Sequence, residues 1–590
     1  MKIYNRFINN IQSFSNALLR FPLTAAFLIA IAVLDAMMIN NNGLALEKYI
    51  ISLALGAFLS AALQMVYERF YVKNITRIAF MAIAGLLALV YYLTIMNEAE
   101  LGQDVLIKTL VVLFGLFIAF LWIPSIKNKI TFNECFMASF KAFFIAFLFS
   151  GVLMGGFSII YGATDVLLFE VNEDIYSHTA NIVFVVFATM YFLSLTPKYQ
   201  HEIDVNKQDN SVEELDKATS TPKILEILIS YIVIPMSMVF TLILLIYIAT
   251  NISGSFWSDA LLEPMLVSYI VAVILIYILA SRMGNRMAGL FRKIFPKVLI
   301  PIVIFQTINS VLRIGDFGLT FGRYYVILFG LFAFIAGLVF SFKPVEKNGI
   351  VPMVLIICIV ISVLPMIDAF TISKNSQINI LENVLVENEM LKDGKIIPKG
   401  DIDESDKKRI TAATEYLQNM GYVDDIEWFP EDYDDFEKTF GFSRYEKELM
   451  HEGGFSLRTD MYGVTDISGY DYFVETHISN YDYGEEEPIK YKFEKNNEEF
   501  TLLEKDYKND VILSLYDSEN NELVSINSAD IISQFENYSL NNETMPIEDA
   551  YVISENENGT IKILVQYIEA DENDEGYGFN AEIYVFIKVE

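Results

Sequence analysis

Eleven apolar stretches lie between residues 22 and 367, and the cations between them fall in every second loop. A helix needs roughly 20 apolar residues to cross the hydrocarbon of a bilayer. The stretches are 22–39, 49–66, 78–96, 105–124, 136–163, 180–196, 224–250, 263–280, 298–313, 324–342 and 350–367. The fifth and seventh are long enough to require tilt or a kink, and the ninth is short. Loops at 1–20, 67–77, 125–134, 197–223, 281–297 and 343–349 hold 19 Lys and Arg, whereas the opposing loops hold two, Lys48 and Arg323. Cytoplasmic loops carry such an excess. The N-terminus is therefore expected in the cytoplasm, and the segment after residue 368 outside it. Phe21–Ile39 is too long for a signal-peptide core and lacks a small-residue cleavage site behind it, so it is expected to remain as the first span.

The charge is distributed as unevenly as the hydropathy. Residues 371–590 carry 51 Asp and Glu against 18 Lys and Arg, while the first 370 residues carry 23 acids and 24 bases. A near-neutral membrane body is thus joined to a strongly acidic domain. Such a domain lacks the basic footprint that nucleic acid requires. It is repelled by anionic headgroups and gains solubility from its charge. The two cysteines, Cys135 and Cys358, both belong to the membrane body. The acidic domain has neither a disulfide framework nor a cysteine zinc site, so its own core must hold it.

These features predict a polytopic α-helical membrane bundle followed by an α+β, mainly antiparallel-β, extracytoplasmic domain. The expected divisions are helices one to six (1–196), a cytoplasmic linker (197–223), helices seven to eleven (224–368) and the acidic domain (369–590). The linker is polar without apolar periodicity, so 200–220 is expected to be poorly ordered. An amphipathic helix is expected over 376–394 with Gly394 as its stop, and a second one ending at Gly421. From about 455 the alternating β-branched runs read as strands.

The ninth stretch is the most polar. Gln306, Asn309, Ser310 and Arg313 share one arc of a helix. An intramembrane stripe of this kind is either glue between helices or the lining of a wet path. It runs into RIGDFGLTFGRYY, where Asp316, Thr320, Arg323 and Tyr324 follow Arg313. Cations here oppose the charge rule for this side. Arg313, Asp316 and Arg323 are expected to form one cluster, either structural or a pocket for an anionic headgroup. Asp35, Lys108 and Glu226 sit near helix ends, where they can snorkel, and Gln64 and Lys141 lie deeper.

DENDEGYGFNAE places Asp571, Asn573, Glu575 and Glu582 at the first, third, fifth and twelfth positions of a calcium-type loop. The bland reading, an acidic hairpin turn, is the expected one. His178, His201, His451 and His477 have no ligand spacing, and no phosphate loop, nucleophile elbow or zinc-protease motif is present. No cofactor is expected.

The stretches RFPLTAA, SFKAFFIAFLFSGVLMGGFSIIYGATDVLL, LRIGDFGLTFGRYY and SKNSQINILENVLVENEMLKDGKI resemble a bacterial family of polytopic membrane proteins, the domain of unknown function 4153 family. Gly318, Leu319, Thr320, Arg323 and Tyr324 are the most specific part, and Ile467 to Tyr472 (ISGYDY) is similar to Gram-positive members. At Phe321–Gly322 the chain is less polar than the family pattern. The resemblance implies a bacterial envelope protein and no particular activity.

The expected role is non-enzymatic: envelope sensing or support in the bacterial plasma membrane, with the lipid bilayer as partner. The alternatives are a small-solute permease lined by the ninth helix, and an enzyme or binder of a lipid-linked envelope substrate at the outer face.

Overall fold

Each apolar stretch becomes a helix. In the computed structural model, eleven helices among the described residues are long and apolar enough to cross a membrane. They are α1 (Pro22–Asn40), α2 (Glu47–Phe70), α3 (Asn74–Ile95), α4 (Gln103–Trp122), α5 (Phe132–Leu167), α6 (Asp174–Leu195), α7 (Lys223–Leu228 continuing through Ile234–Asn251), α8 (Leu262–Ala280), α9 (Arg286–Phe317), α10 (Phe321–Phe342) and α11 (Ile350–Val363). The structure describes all residues except 1–13, 42–43, 99–100, 200–215, 252–261, 431–435, 445–454, 462–464, 466, 480–489, 508–509, 540–543 and 574–575. In lipid every backbone group must be satisfied within the segment, so apolar runs of this length become helices.

Successive helices run in alternate directions. At one face of the bundle, Arg20 before α1 meets Glu68 near the end of α2 and the carbonyl oxygens of Thr196 and Pro197 beyond α6. At the opposite face, Lys108 of α4 meets Asp368 beyond α11. Helices α6 and α7 each contain a stretch of π-helix, Asn181–Ala188 and Ile229–Val233.

Three expectations need correction, two of them in the membrane body. The ninth helix is not short: α9 spans 32 residues, with Pro296 and Pro301 inside it. The Asn285 side chain caps it by accepting from the amide of Ala288 at 2.9 Å. The run Arg286 to Lys297 carries charge without breaking the helix, because Arg and Lys favour helix and can reach water from the bilayer edge. The expectation for the linker divides. Residues 200–215 lie outside the described residues, but 216–220 form a packed turn. Lys141 donates to the carbonyls of Lys217 and Ser220 at 2.9 and 2.7 Å, and Thr219 is buried. An isolated polar segment offers no apolar signal, so a docking partner in another helix is invisible to periodicity.

Beyond α11, Asp368 caps α12 (Ala369–Glu387) by accepting from the amides of Phe370 and Thr371. Gly394 does not stop this helix. It turns a small hairpin of β1 (Leu391–Lys392) and β2 (Lys395–Ile396), where Asp393 and Gly394 both have positive φ, as a tight Asp-Gly hairpin requires. Helix α13 (Glu404–Asn419) ends before Gly421, whose φ is +66°. Leu381, Leu385, Ile410, Leu417 and Phe440 bury the seam between these elements.

The chain forms two units, Met1–Phe442 and Ser443–Glu590. The second is rich in β structure. Strands β3 (Phe455–Asp460), β4 (Tyr472–Ser479), β9 (Thr544–Pro546), β10 (Tyr551–Asn556), β11 (Gly559–Asn573) and β12 (Gly576–Val589) form one sheet, antiparallel except for β3 with β9. Strands β5 (Lys490–Lys495), β6 (Glu498–Tyr507), β7 (Asp510–Tyr516) and β8 (Glu522–Asn527) form a second, antiparallel sheet. Alternate residues of β11 and β12, such as Ile563 and Val585, enter a common core.

Candidate functional site

The polar loop between α9 and α10 is consumed in a docking contact. Gly318 has φ +70° and ψ 179°, a region that is essentially glycine-only. A Cβ there would stand 2.6 Å from Ile380 Cδ1 and 2.8 Å from Gln377 Nε2. The lack of a side chain lets α12 approach. Gln377 Nε2 then donates to the carbonyls of Phe317 and Leu319, at 2.9 and 3.3 Å, and Ser376 Oγ accepts from the amide of Leu319 at 3.0 Å.

The next residues complete the contact. Thr320 caps α10 by accepting from the amide of Arg323 at 3.3 Å, and Arg323 Nη1 donates to the carbonyl of Gly318 at 2.8 Å. Phe321 stacks on Phe370 at 5.1 Å, and its amide donates to Tyr416 Oη at 3.3 Å. Tyr324 Oη donates to the carbonyl of Ile367 at 2.7 Å. The less polar Phe321–Gly322 pair thus supplies a ring to the docking surface. The Asp316 side chain lies outside the described residues, so its place relative to Arg313 and Arg323 is not among these contacts.

Beneath this loop the α9 stripe is buried: Gln306, Asn309 and Ser310 are each at most 1% exposed. Ser310 Oγ donates to Glu263 of α8, and Gln306 Nε2 donates to Ser310 Oγ at 3.3 Å. Gly330 of α10 lets α9 close in, for a Cβ there would lie 2.2 Å from Thr307 Oγ1. Among the described residues, neither amide atom of Asn309 has a hydrogen-bond partner. The stripe therefore combines glue, at Ser310–Glu263, with polar atoms left over among the described residues, the Asn309 amide and Gln306 Oε1.

Lys108 marks the second link to α12. Its Nζ lies 3.0 Å from Asp368 Oδ1 and 3.7 Å from Asp104 Oδ2. Desolvation raises the Asp368 carboxyl, but hydrogen bonds from Thr371 and Lys108 outweigh it and hold the group below the ordinary value.

One network was missed by the sequence reading. At the face where α1 begins, Arg20 and Glu68 form a bidentate pair, Nε–Oε1 2.8 Å and Nη2–Oε2 2.7 Å. Gln64 Nε2 donates to Glu68 at 2.9 Å, and Arg77 Nε donates to Gln64 Oε1 at 3.1 Å. A usable signal existed: Glu68 is the one acid in the cationic loop 67–77.

In the second unit, the 571–582 segment belongs to the β11–β12 hairpin. Asp571 pairs with Gly578 and Asn573 with Gly576, while Glu582 stands opposite Tyr567, well along the strands from the tip. Glu575 lies outside the described residues, and among those described no cluster of three His, Cys, Asp or Glu could hold a metal. Asp471 of the ISGYDY segment ties the last strand, accepting from Lys495 Nζ at 2.8 Å and the amide of Val589 at 2.9 Å.

No curated protein and no solved structure matches this chain. The family model described as Domain of unknown function (DUF4153) matches residues 23–393, which takes in all eleven helices, the α9–α10 loop and α12. With most of its length covered by that match, the chain is an integral membrane protein of the DUF4153 family.

Proposed function

We propose that this protein is a non-enzymatic sensing or support element of the bacterial plasma membrane. Its N-terminus is cytoplasmic and residues 369–590 are extracytoplasmic. The observation that supports this reading is the latch between the α9–α10 loop and α12–α13. Gly318, Thr320, Arg323 and Tyr324 form its membrane half, Asp316 lies in the last turn of α9 beside it, and Gln377, Ser376 and Tyr416 form the other half. A load or ligand acting on the outer segment reaches α9 through this latch, and Gln306, Asn309 and Arg313 carry it into the bundle. Hydrogen exchange on the full chain in nanodiscs tests the coupling. Gln377→Ala should speed exchange in α12 and also in 306–313. Faster exchange confined to α12–α13 contradicts it.

A second reading, a small-solute permease lined by α9, draws on the unpartnered Asn309 amide. Solute uptake by proteoliposomes that is lost in Asn309→Leu supports this reading. Uptake equal to that of empty vesicles removes it.

A further inference from the structure

A cavity of about 590 Å³ opens in the other half of the bundle, between α1, α2, α4, α5 and α6. Its rim is apolar and exposed: Leu110 and Phe114 on α4, Phe143 and Phe147 on α5. Its floor is apolar and buried, formed by Leu28, Ala57 and Phe120. The two polar side chains on the wall are satisfied within the protein. Thr24 Oγ1 bonds Ser60 Oγ at 2.7 Å, and Thr189 Oγ1 donates to the carbonyl of Phe184 at 3.4 Å.

This space is of ligand size, since ligand pockets run from roughly 300 to 1,000 Å³. Water is a poor occupant. At about 30 Å³ per molecule the cavity would hold roughly twenty waters, yet among the described residues only the Thr24 and Thr189 hydroxyls face it, both already bonded within the protein, and apolar cavities stay dry. An empty cavity of this volume would forfeit dispersion contacts along its whole lining. The occupant is therefore apolar along its length. The rim is continuous with the bilayer-facing surface of the spans, so hydrocarbon can enter without crossing water. Among the described residues the wall carries no charged group for a phosphate, so a headgroup stays outside and only a tail enters.

We infer that this cavity holds one acyl chain of a membrane phospholipid as a fixed part of the folded protein. The rim aromatics at Phe114 and Phe147 grip the chain where it leaves the bilayer, and the small residues Ala57, Ala61 and Ala146 make room for its end.

The test uses the full chain in nanodiscs of phosphatidylethanolamine and phosphatidylglycerol, with a photoactivatable diazirine at the end of one acyl chain. In the unaltered protein the label should reach Leu28 and Phe120 themselves, located residue by residue by fragmentation. In Ala61→Phe, and separately in Ala146→Phe, a ring fills the space. Labelling at Leu28 and Phe120 should be lost, while the exposed Leu86 of α3 and Ile29 of α1 remain labelled, and an unfolding temperature near that of the unaltered protein shows that the variant is folded. Two filling variants are used so that one failing to fold leaves the other to decide. Equal labelling of Leu28 and Phe120 in a folded variant and in the unaltered protein overturns the proposal. So does an absence of label there in the unaltered protein. Displacement of the label by equimolar polyprenyl phosphate also overturns it, because the occupant is then an isoprenoid.

Discussion

Gln377 Nε2 donates to two carbonyl oxygens at once, those of Phe317 and Leu319, across the one turn where Gly318 leaves no side chain. The amide hydrogens reach the loop only because no Cβ intervenes. Gly318→Ala should therefore fail twice. It places a Cβ in a glycine-only conformation, at about 1–3 kcal/mol, and pushes that carbon into Ile380 and Gln377. Gln377→Ala removes the hydrogen bonds but not the packing. Thermal unfolding in nanodiscs should rank Gly318→Ala below Gln377→Ala. The reverse order contradicts the steric account.

The Arg20–Glu68 pair makes a similar demand at the other face. Both side chains are largely buried, at 7% and 15% exposed. Removing one partner strands a buried charge, at about 3–5 kcal/mol. Glu68→Leu alone should lower the unfolding temperature sharply, and Arg20→Met added to it should restore part of the loss. Recovery stays partial, because the carbonyls of Thr196 and Pro197 lose their donor. If adding Arg20→Met lowers the temperature further, the pair is not what holds this end.

These two sites show where the sequence stops informing. The eleven spans were legible because burial in lipid acts on each residue separately, so composition over about 20 residues suffices. The latch was not. Leu319 meets Ser376 and Phe321 meets Tyr416, partners 57 and 95 residues apart. Periodicity constrains neighbours along one element, not which elements meet. The same reason separates the correct assignment of α13 from the wrong one at Gly394, where a glycine signals a change of direction but not whether it ends a helix or turns a hairpin. The stripe on α9 was found because burying Gln306, Asn309 and Ser310 together violates the composition rule.

Acid should loosen the second link. Desolvation works against the Asp368 carboxylate, but Thr371 and Lys108 depress its pKa below the ordinary 3.8 in the folded protein. A depressed carboxyl stabilises the fold above its unfolded pKa, and that stability fades as pH falls through the folded value. Unfolding temperature should fall on acidification below about pH 4, less steeply in Asp368→Asn, which has no carboxylate left to protonate. Identical pH profiles for the two proteins would exclude Asp368 as the titrating group.

Topology has its own check. The cation asymmetry, 19 against two, predicts that residues 369–590 lie outside the cytoplasm. Protease added to intact spheroplasts should remove that segment and spare the 197–223 loop. Cleavage of the loop with the segment protected would invert the orientation.

Asn309 decides between glue and passage. It is 1% exposed, and among the described residues its amide has no hydrogen-bond partner. A buried polar group left unmade costs about 1–3 kcal/mol. Leucine has the same branched outline and number of heavy side-chain atoms, is somewhat bulkier, and has nothing to satisfy. If the amide is unsolvated, Asn309→Leu should raise the unfolding temperature in nanodiscs by relieving that cost. If a water file or a solute occupies the space beside α9, the amide is satisfied in the working protein. The same substitution then lowers the temperature, and uptake by proteoliposomes falls with it. Ser310→Ala serves as the comparison, because its hydroxyl donates to Glu263 and accepts from Gln306 Nε2 at 3.3 Å, so its loss should destabilise under either reading. A rise for Asn309→Leu beside a fall for Ser310→Ala assigns the stripe to helix packing; a fall for both, with loss of uptake, assigns it to a path.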